Sequence, residues 1–347
     1  MNIRILDSSG FAAYDKYVYA HTRATLYHLS GWRNIITKTY GHKSYYLTAV
    51  RDDGAIAGVL PLVHLKSILF GNSLISIPFF DTGGILSDDE TAEKALLSEA
   101  INLGQKLNTD RIELRHIEPL ITAVPNTVTH SHKVLMQLDL PGNADLLMKT
   151  FKAKLRSQVR KPLKEGLYSK IGGSELAENF YKVFLINMRD LGSPVHSKKL
   201  ITSVLDEFPD HARILIIYKE KEPLACALII GFRDILENPW ASSLREYSHL
   251  SPNMLLYWAM LEYACNKGYA RFDFGRSSPG QGTYKFKEQW GANPIPLNWH
   301  TIYLKGKPEQ TETSGASKFD TAVRYWKKLP VSATKIIGPV IRKHIGL

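Results

Sequence analysis

A weak internal duplication constrains this chain more than any other feature of its sequence. Residues 45–50 (YYLTAV) read as a strand, Asp52-Asp53-Gly54 as a turn, and 55–64 (AIAGVLPLVH) as a second strand. The same pattern returns at 213–218 (RILIIY), with a polar turn over 219–223 and a second strand at 224–232 (LACALIIGF). Each hairpin is followed by a helical stretch and a short strand that opens on an arginine, an apolar residue and an acid. In the first half, 89–107 leads into 111–117 (RIELRHI); in the second, 251–267 leads into 271–277 (RFDFGRS). Paired elements keep their order and lie about 160–168 residues apart, as in a duplicated unit.

Two such units suit a chain of 347 residues. Pro141-Gly142-Asn143 interrupts the pattern, so the halves are expected at 1–140 and 141–305. A polar stretch over 306–315 reads as a linker, and 316–347 as a helical tail. The expected fold class is α/β (α+β): two mixed, mostly antiparallel sheets flanked by helices.

Chemistry concentrates in 271–291, RFDFGRSSPGQGTYKFKEQWG. A short strand runs into a loop carrying Gly275, Pro279, Gly280 and Gly282, and glycine lets a ligand approach the main chain. Packed into it are Asp273, Arg276, Tyr284, Lys285, Lys287 and Trp290. Read as a strand, the alternation Tyr284-Lys285-Phe286-Lys287 sends both lysines to one face as an anion site. Upstream, Leu147, Phe151, Leu155 and Val159 form an apolar stripe on one helix over 144–161. Beside it Lys152, Arg156 and Arg160 make a cationic row suited to phosphate.

The segment DFGRSSPGQGTYKFKEQWG resembles the C-terminal signature of FemAB-like aminoacyl/acyltransferases of the GNAT (acetyltransferase) superfamily. In particular it is similar to the FemAB-related proteins associated with PEP-CTERM and exosortase polysaccharide loci. MRDLGSPVHSKKL at 188–200, SIPFFDTGG at 76–84 and LSGWRNIITKTYGHKSYYLTAV at 29–50 agree with that subgroup. The resemblance covers about residues 1–305. It implies a duplicated GNAT-like fold, transfer of an acyl or aminoacyl group to an amine, and a stabilising role for Lys287 toward developing negative charge. The acceptor it implies is an amine of a cell-envelope or exopolysaccharide precursor. The long helical-hairpin insertion of the staphylococcal bridge-forming members is missing here.

An amine attacking an ester or thioester must lose a proton while the tetrahedral oxyanion is stabilised. Lys287 suits the oxyanion; Asp273 and His196 are candidate bases, with Asp273 alternatively an acceptor for loop N–H groups. Arg156, Arg160, Arg189, Arg276, Tyr284, Lys285 and Trp290 are the candidate substrate contacts. No nucleophile motif stands out, which favours direct transfer. The donor is expected to be acyl-CoA or aminoacyl-tRNA as co-substrate, with no permanently bound cofactor. The segment 245–253 before the second central helix has no glycine, unlike the pyrophosphate loop of ordinary acetyl-CoA enzymes, although Ser251 reads as an N-cap and Pro252 as a first-turn residue. A catalytically silent module of the same fold, binding a polyanion, is the alternative.

Two cysteines, Cys226 and Cys265, sit in apolar runs and read as buried thiols. Twelve scattered histidines give no metal spacing. No run approaches a membrane span and the N-terminus lacks a signal peptide, so a cytoplasmic protein is expected. Net charge is +11, and the seven basic residues and one acid of 316–347 supply +6 of it. That tail alternates apolar and basic residues at helical spacing. It is expected either to lie on an anionic membrane surface or to dock on the protein body. An anionic or phosphate-bearing substrate, with tRNA as a candidate donor, fits the charge.

Overall fold

The computed structural model describes residues 1–7, 9–306 and 316–346. They form two compact units. One holds Met1–Lys133 with 296–306 and 343–346; the other holds Val134–Ile295 with 316–342. Nearly all of the expected linker lies outside the described residues.

The first unit contains β1 (Asn2–Ile5), α1 (Phe11–Ala20), α2 (Gly31–Tyr40), β2 (Lys43–Val50), β3 (Ile56–Ser67), β4 (Gly71–Ile75), β5 (Leu86–Ser87), α3 (Glu90–Lys106), β6 (Arg111–His116) and β7 (Thr127–His130). The second contains β8 (Val134–Asp139), α4 (Ala144–Thr150), α5 (Ala153–Lys164), β9 (Leu167–Gly172), α6 (Ala177–Leu191), α7 (Lys198–Glu207), β10 (Ala212–Lys219), β11 (Glu222–Phe232), β12 (Ile235–Ser243), α8 (Pro252–Asn266), β13 (Arg271–Ser277), α9 (Gly282–Glu288) and β14 (Asn293–Pro296). Strand β15 (Asn298–Tyr303) returns to the first unit, and α10 (Ala316–Trp326) and α11 (Val331–Arg342) to the second.

The first sheet runs β1-β2-β3-β4-β6-β15-β7, with β5 on β3; the second runs β14-β8-β13-β12-β11-β10-β9. Read in opposite directions the two orders correspond strand for strand, including one parallel pair in each, β4 with β6 and β12 with β13. The duplicated mixed fold therefore stands. The boundaries do not fall at 140 and 305. Strand β8 pairs with β13, and β15 pairs with β6 and β7, so each sheet takes a strand from the other half of the sequence.

Local chemistry explains the elements. Helix α3 starts where the Asp89 side chain accepts from Ala92 N at 2.8 Å, with Glu90 and Glu93 in its first turn, and it buries Ala92, Leu96, Ala100 and Leu103. Helix α8 is buried on nearly every side, as its apolar composition requires. Ser251 does not cap α8 with its side chain; it sits in the left-handed region at φ 60°, and Pro252 opens the helix. The single helix expected over 144–161 is two, broken at Phe151 and Lys152. Four-residue steps drift about 40° around a helix, and the break returns Leu155 and Val159 to the same core as Leu147 and Phe151.

In the second unit, α8 covers one sheet face, with Leu215, Ile217, Ala225 and Ala227 beneath it. Alternate residues face the other way, where α6 lies and the Cys226 thiol reaches Phe180 O. Both cysteines are buried and free, and burial raises both thiol pKa values.

Helix α11 packs against α6, with Thr334 and Gly338 on its buried face. A Cβ on Gly338 would stand 3.1 Å from Val195 N, so the absent side chain permits the close approach. The tail thus docks on the unit through one face. Among the described residues no helix is long and apolar enough to cross a membrane.

Removing one exchanged strand tests the sheet assignment. Residues 141–305 lack β8, whose Val134, Met136 and Leu138 are buried. Each such side chain contributes about 1.5–3 kcal/mol. A piece spanning 134–305 should therefore melt cooperatively in far-UV circular dichroism, well above one spanning 141–305; equal melting would contradict the topology.

Four buried histidines set a pH dependence. Burial holds His28 and His300 near pKa 4, and holds His116 and His196 well below the ordinary value of 6.5. The unfolded chain takes up protons first, so the stability these groups contribute is complete above pH 6.5 and falls below it. Each costs up to about 1.4 kcal/mol per pH unit there. The melting temperature should drop between pH 7 and pH 5, and His300→Gln should flatten the drop.

Candidate functional site

Parallel pairing between β12 and β13 lasts three rungs: Ile235 with Arg271, Leu236 with Phe272, Glu237 with Asp273. Beyond Asp273 the strands part. β12 continues to Ser243 on β11 alone, while β13 bulges against β8 between Asp273 and Arg276. The acid of the repeated Arg-apolar-acid motif is the last rung before the sheet opens.

Three groups hold the β13 side of that opening. The Asp273 carboxylate is buried; it accepts from Gly275 N at 2.7 Å and from Gln137 Nε2 at 2.9 Å. Gly275 has φ 76°, which disfavours any side chain, and its backbone lies beside Asn238 O. Lys287 is 7 % exposed, and its ammonium donates to Gly275 O and Arg276 O, both at 2.9 Å. Burying an ammonium is unfavourable unless it is hydrogen-bonded, and these strand-end carbonyls supply the acceptors.

The expected strand at 284–287 is the helix α9. Phe286 and Trp290, one turn apart, contact Tyr257 of α8, with centroids at 4.9 and 6.3 Å. Helical rather than alternating geometry separates the two lysines: Lys285 is exposed and Lys287 buried. Tyr284 is half-buried against the core. Trp290 is 1 % exposed, edge-on to Phe151 at 5.5 Å, with no partner for its indole N–H among the described residues, and so belongs to the core rather than to a binding surface.

The other expected residues divide by sheet face. Phe151 contacts Trp258 and Trp290, which brings the α4–α5 corner to the face that carries Lys287. Arg156 there is half-buried and donates to Phe151 O at 2.8 Å, closing the helix break. Lys152 and Arg160 are exposed. His196 lies on the α6 face beside Trp240, fully buried, and its Nε2 accepts from Arg342 Nε at 2.9 Å. Burial and the adjacent guanidinium keep it neutral; strand alternation turns Asp273, between Phe272 and Phe274 of the α8-side core, toward this same sheet face. Arg189 is paired with Asp190 at 2.6 Å and donates to Leu329 O, so it ties down the tail.

Sequence reasoning did not single out Gln137 and Glu237. Gln137 could be found only by knowing that β8 belongs to the second sheet. Glu237 lies across the last rung from Asp273 and is half-buried. Among the described residues no group of three or more His, Cys, Asp or Glu is arranged to hold a metal ion.

The first unit repeats the ladder and then closes it. Ser73, Leu74 and Ile75 pair with Arg111, Ile112 and Glu113, and the strands part after the acid. Where the second unit has Gly275, the first has Arg115. Its fully buried guanidinium bonds Glu113 at 2.6 Å and Gly346 O at 3.0 Å, bonds Phe80 O, and stacks over Trp299 at 4.4 Å. A side chain fills the first opening; at the equivalent position of the second stands a glycine.

The comparisons with known proteins place a family match in the second unit. Residues 149–288 match the family described as Acetyltransferase (GNAT) domain. Among solved structures, FemX shares 16 % identity with a TM-score of 0.65, over 88 % of this chain and 98 % of that one. The C-terminal domain of a protein assigned as a lysylphosphatidylglycerol synthetase, from Agrobacterium fabrum, shares 11 % with a TM-score of 0.58, over 98 % of each chain. A tandem GNAT protein from the clavulanic acid biosynthesis pathway shares 11 % with a TM-score of 0.54, over 88 % of this chain and 99 % of that one. No curated protein matches the sequence. The fold of this chain is a tandem GNAT-like fold, and residues 149–288 of its second unit carry the match to the GNAT domain.

Proposed function

We propose that this protein is an N-acyl or aminoacyl transferase acting at the opening between β12 and β13. The observation that carries the reading is the ladder that stops at Asp273 beside Gly275, where the first unit has the buried Arg115. Where two strands part, the groups fixed beside the break are placed to meet a substrate, and preorganised donors of that kind position an acyl carbonyl without side-chain reorganisation. The match of 149–288 to a GNAT domain supports acyl transfer there.

The amine nitrogen attacks the carbonyl carbon of an ester or thioester donor. The carbonyl π pair moves to oxygen, and collapse of the tetrahedral intermediate expels the alkoxide or thiolate, which takes up a proton. Lys287 brings a fixed positive charge to the loop and supports the oxyanion. Glu237 is the acid that accepts the amine proton. Asp273 holds the loop through Gly275 N and Gln137. The acceptor is an amine of a cell-envelope or exopolysaccharide precursor, a choice that rests on the likeness of the 273–291 segment to FemAB-like transferases. The neighbours named for FemX and for lysylphosphatidylglycerol synthesis support an aminoacyl donor, and the GNAT match supports acyl-CoA.

The test presents radiolabelled acetyl-CoA and a labelled aminoacyl-tRNA mixture separately, each with amino-sugar nucleotides and a wall-precursor peptide. Mass spectrometry should find an amide with one donor class. No product with either class, together with retained binding to a polyanion, would favour a silent binding module.

Two variants follow from the geometry. Lys287→Met should lower kcat by roughly 10²–10³ with the fold retained by circular dichroism. Glu237→Gln should lower kcat/KM by removing the proton acceptor, and with it the fall of activity on the acid side of the pH profile, while Lys285→Ala, at an exposed position, should change it little.

A further inference from the structure

Helix α11 has an unusual outer surface. A docked surface helix ordinarily turns polar residues to water. Here Thr334 and Gly338 define the buried side, and the opposite side holds Ser332, Ala333, Ile336, Pro339 and Val340. Ile336 is 74 % exposed and Val340 59 %, with Ile337 on the flank at 43 %. Packing on α6 has therefore consumed one apolar stripe and left a second facing solvent. Contiguous exposed apolar surface marks a binding face.

Cations accompany this face. Lys335 is exposed on α11, and Arg324, Lys327 and Lys328 are exposed around the end of α10, where Tyr325 is 69 % exposed. Asp320 is the one acid of the tail. A face of branched aliphatics beside lysine and arginine, with a tyrosine nearby, has the composition of an interfacial helix. Self-association through it would bring two copies of the same cationic rim together, and like charges across an interface are unfavourable. An anionic bilayer surface satisfies both the apolar face and the cations.

We propose that α11 is a peripheral membrane-docking helix, lying in the headgroup region of an anionic bilayer with Ile336 and Val340 inserted. No residue of this surface is among those assigned to acyl transfer, so the proposal does not depend on that reading.

The experiment is co-sedimentation of the full chain with vesicles of phosphatidylcholine alone, or of phosphatidylcholine with phosphatidylglycerol, at low and high salt. The wild type should pellet with the anionic vesicles at low salt. Ile336→Ser combined with Val340→Ser should reduce partitioning about tenfold or more, with an unchanged melting temperature, because both side chains face solvent. Lys328→Glu combined with Lys335→Glu should weaken it by about fivefold per cation. Equal pelleting of the Ile336/Val340 variant and the wild type would overturn the proposal. So would equal pelleting with neutral vesicles. Sedimentation velocity showing a wild-type dimer that the same variant makes monomeric would also overturn it, by assigning the face to a second copy. Ile68 and Leu69, exposed at the β3–β4 turn, provide the internal control: binding lost on Ile68→Ser with Leu69→Ser, but kept in the α11 variant, would contradict the assignment to α11.

Discussion

The interaction on which the architecture turns is a parallel strand pair that forms only three rungs. Parallel ladders are normally sustained by crossover helices on their faces, and α3 and α8 supply that cover here. What ends each ladder is an acid, Glu113 or Asp273, whose carboxylate takes its hydrogen bonds from outside the ladder: from Arg115 in one unit, and from Gly275 N and Gln137 in the other. Past the acid, backbone groups must find other partners or remain available. A duplicated fold thus contains two equivalent breaks, and residue choice at one position decides what becomes of each.

At that position the halves diverge as far as two side chains can. Arg115 is a large and strongly donating choice, and it satisfies three carbonyls, those of Ile77, Phe80 and Gly346, while stacking on Trp299. Gly275 fills nothing. The neighbouring charge in the second unit comes instead from Lys287, reaching from α9 to the carbonyls of Gly275 and Arg276. A guanidinium seals with a planar array of donors, whereas an ammonium is a compact charge on a flexible stem. The first unit spends its break on stability. The second places a glycine and a buried positive charge there.

Much of this was readable from residues alone, because the hairpins and helix–strand units carry clear periods of two and of about 3.6. The sheet exchange was not. Strands β8 and β15 are six residues each, and nothing local in VLMQLD or NWHTIY says which sheet receives them. The four residues 284–287 fit either period, and burial of Phe286 and Trp290 against Tyr257 decided for the helix. A loop histidine after a turn suits proton transfer in sequence, yet tertiary packing put His196 beneath the side chain of Arg342. Asp273 and Lys287 were visible because glycines flank ionisable groups there. Gln137 and Glu237 were not, because their proximity to Asp273 exists only in the sheet.

The exchanged strands also set a timetable for synthesis. The open edge of β6 is closed by β15, and Asn298 reaches Ile117 O across 181 residues of chain. At ribosomal rates of about 5–20 residues per second, that edge stays unpaired for roughly ten to forty seconds after it leaves the exit tunnel. Unpaired strand edges are templates for pairing with other chains. The first unit is thus the first to be made and the last to be completed, and a nascent chain of this protein is most exposed to misassembly, and most in need of a chaperone, through its amino-terminal half.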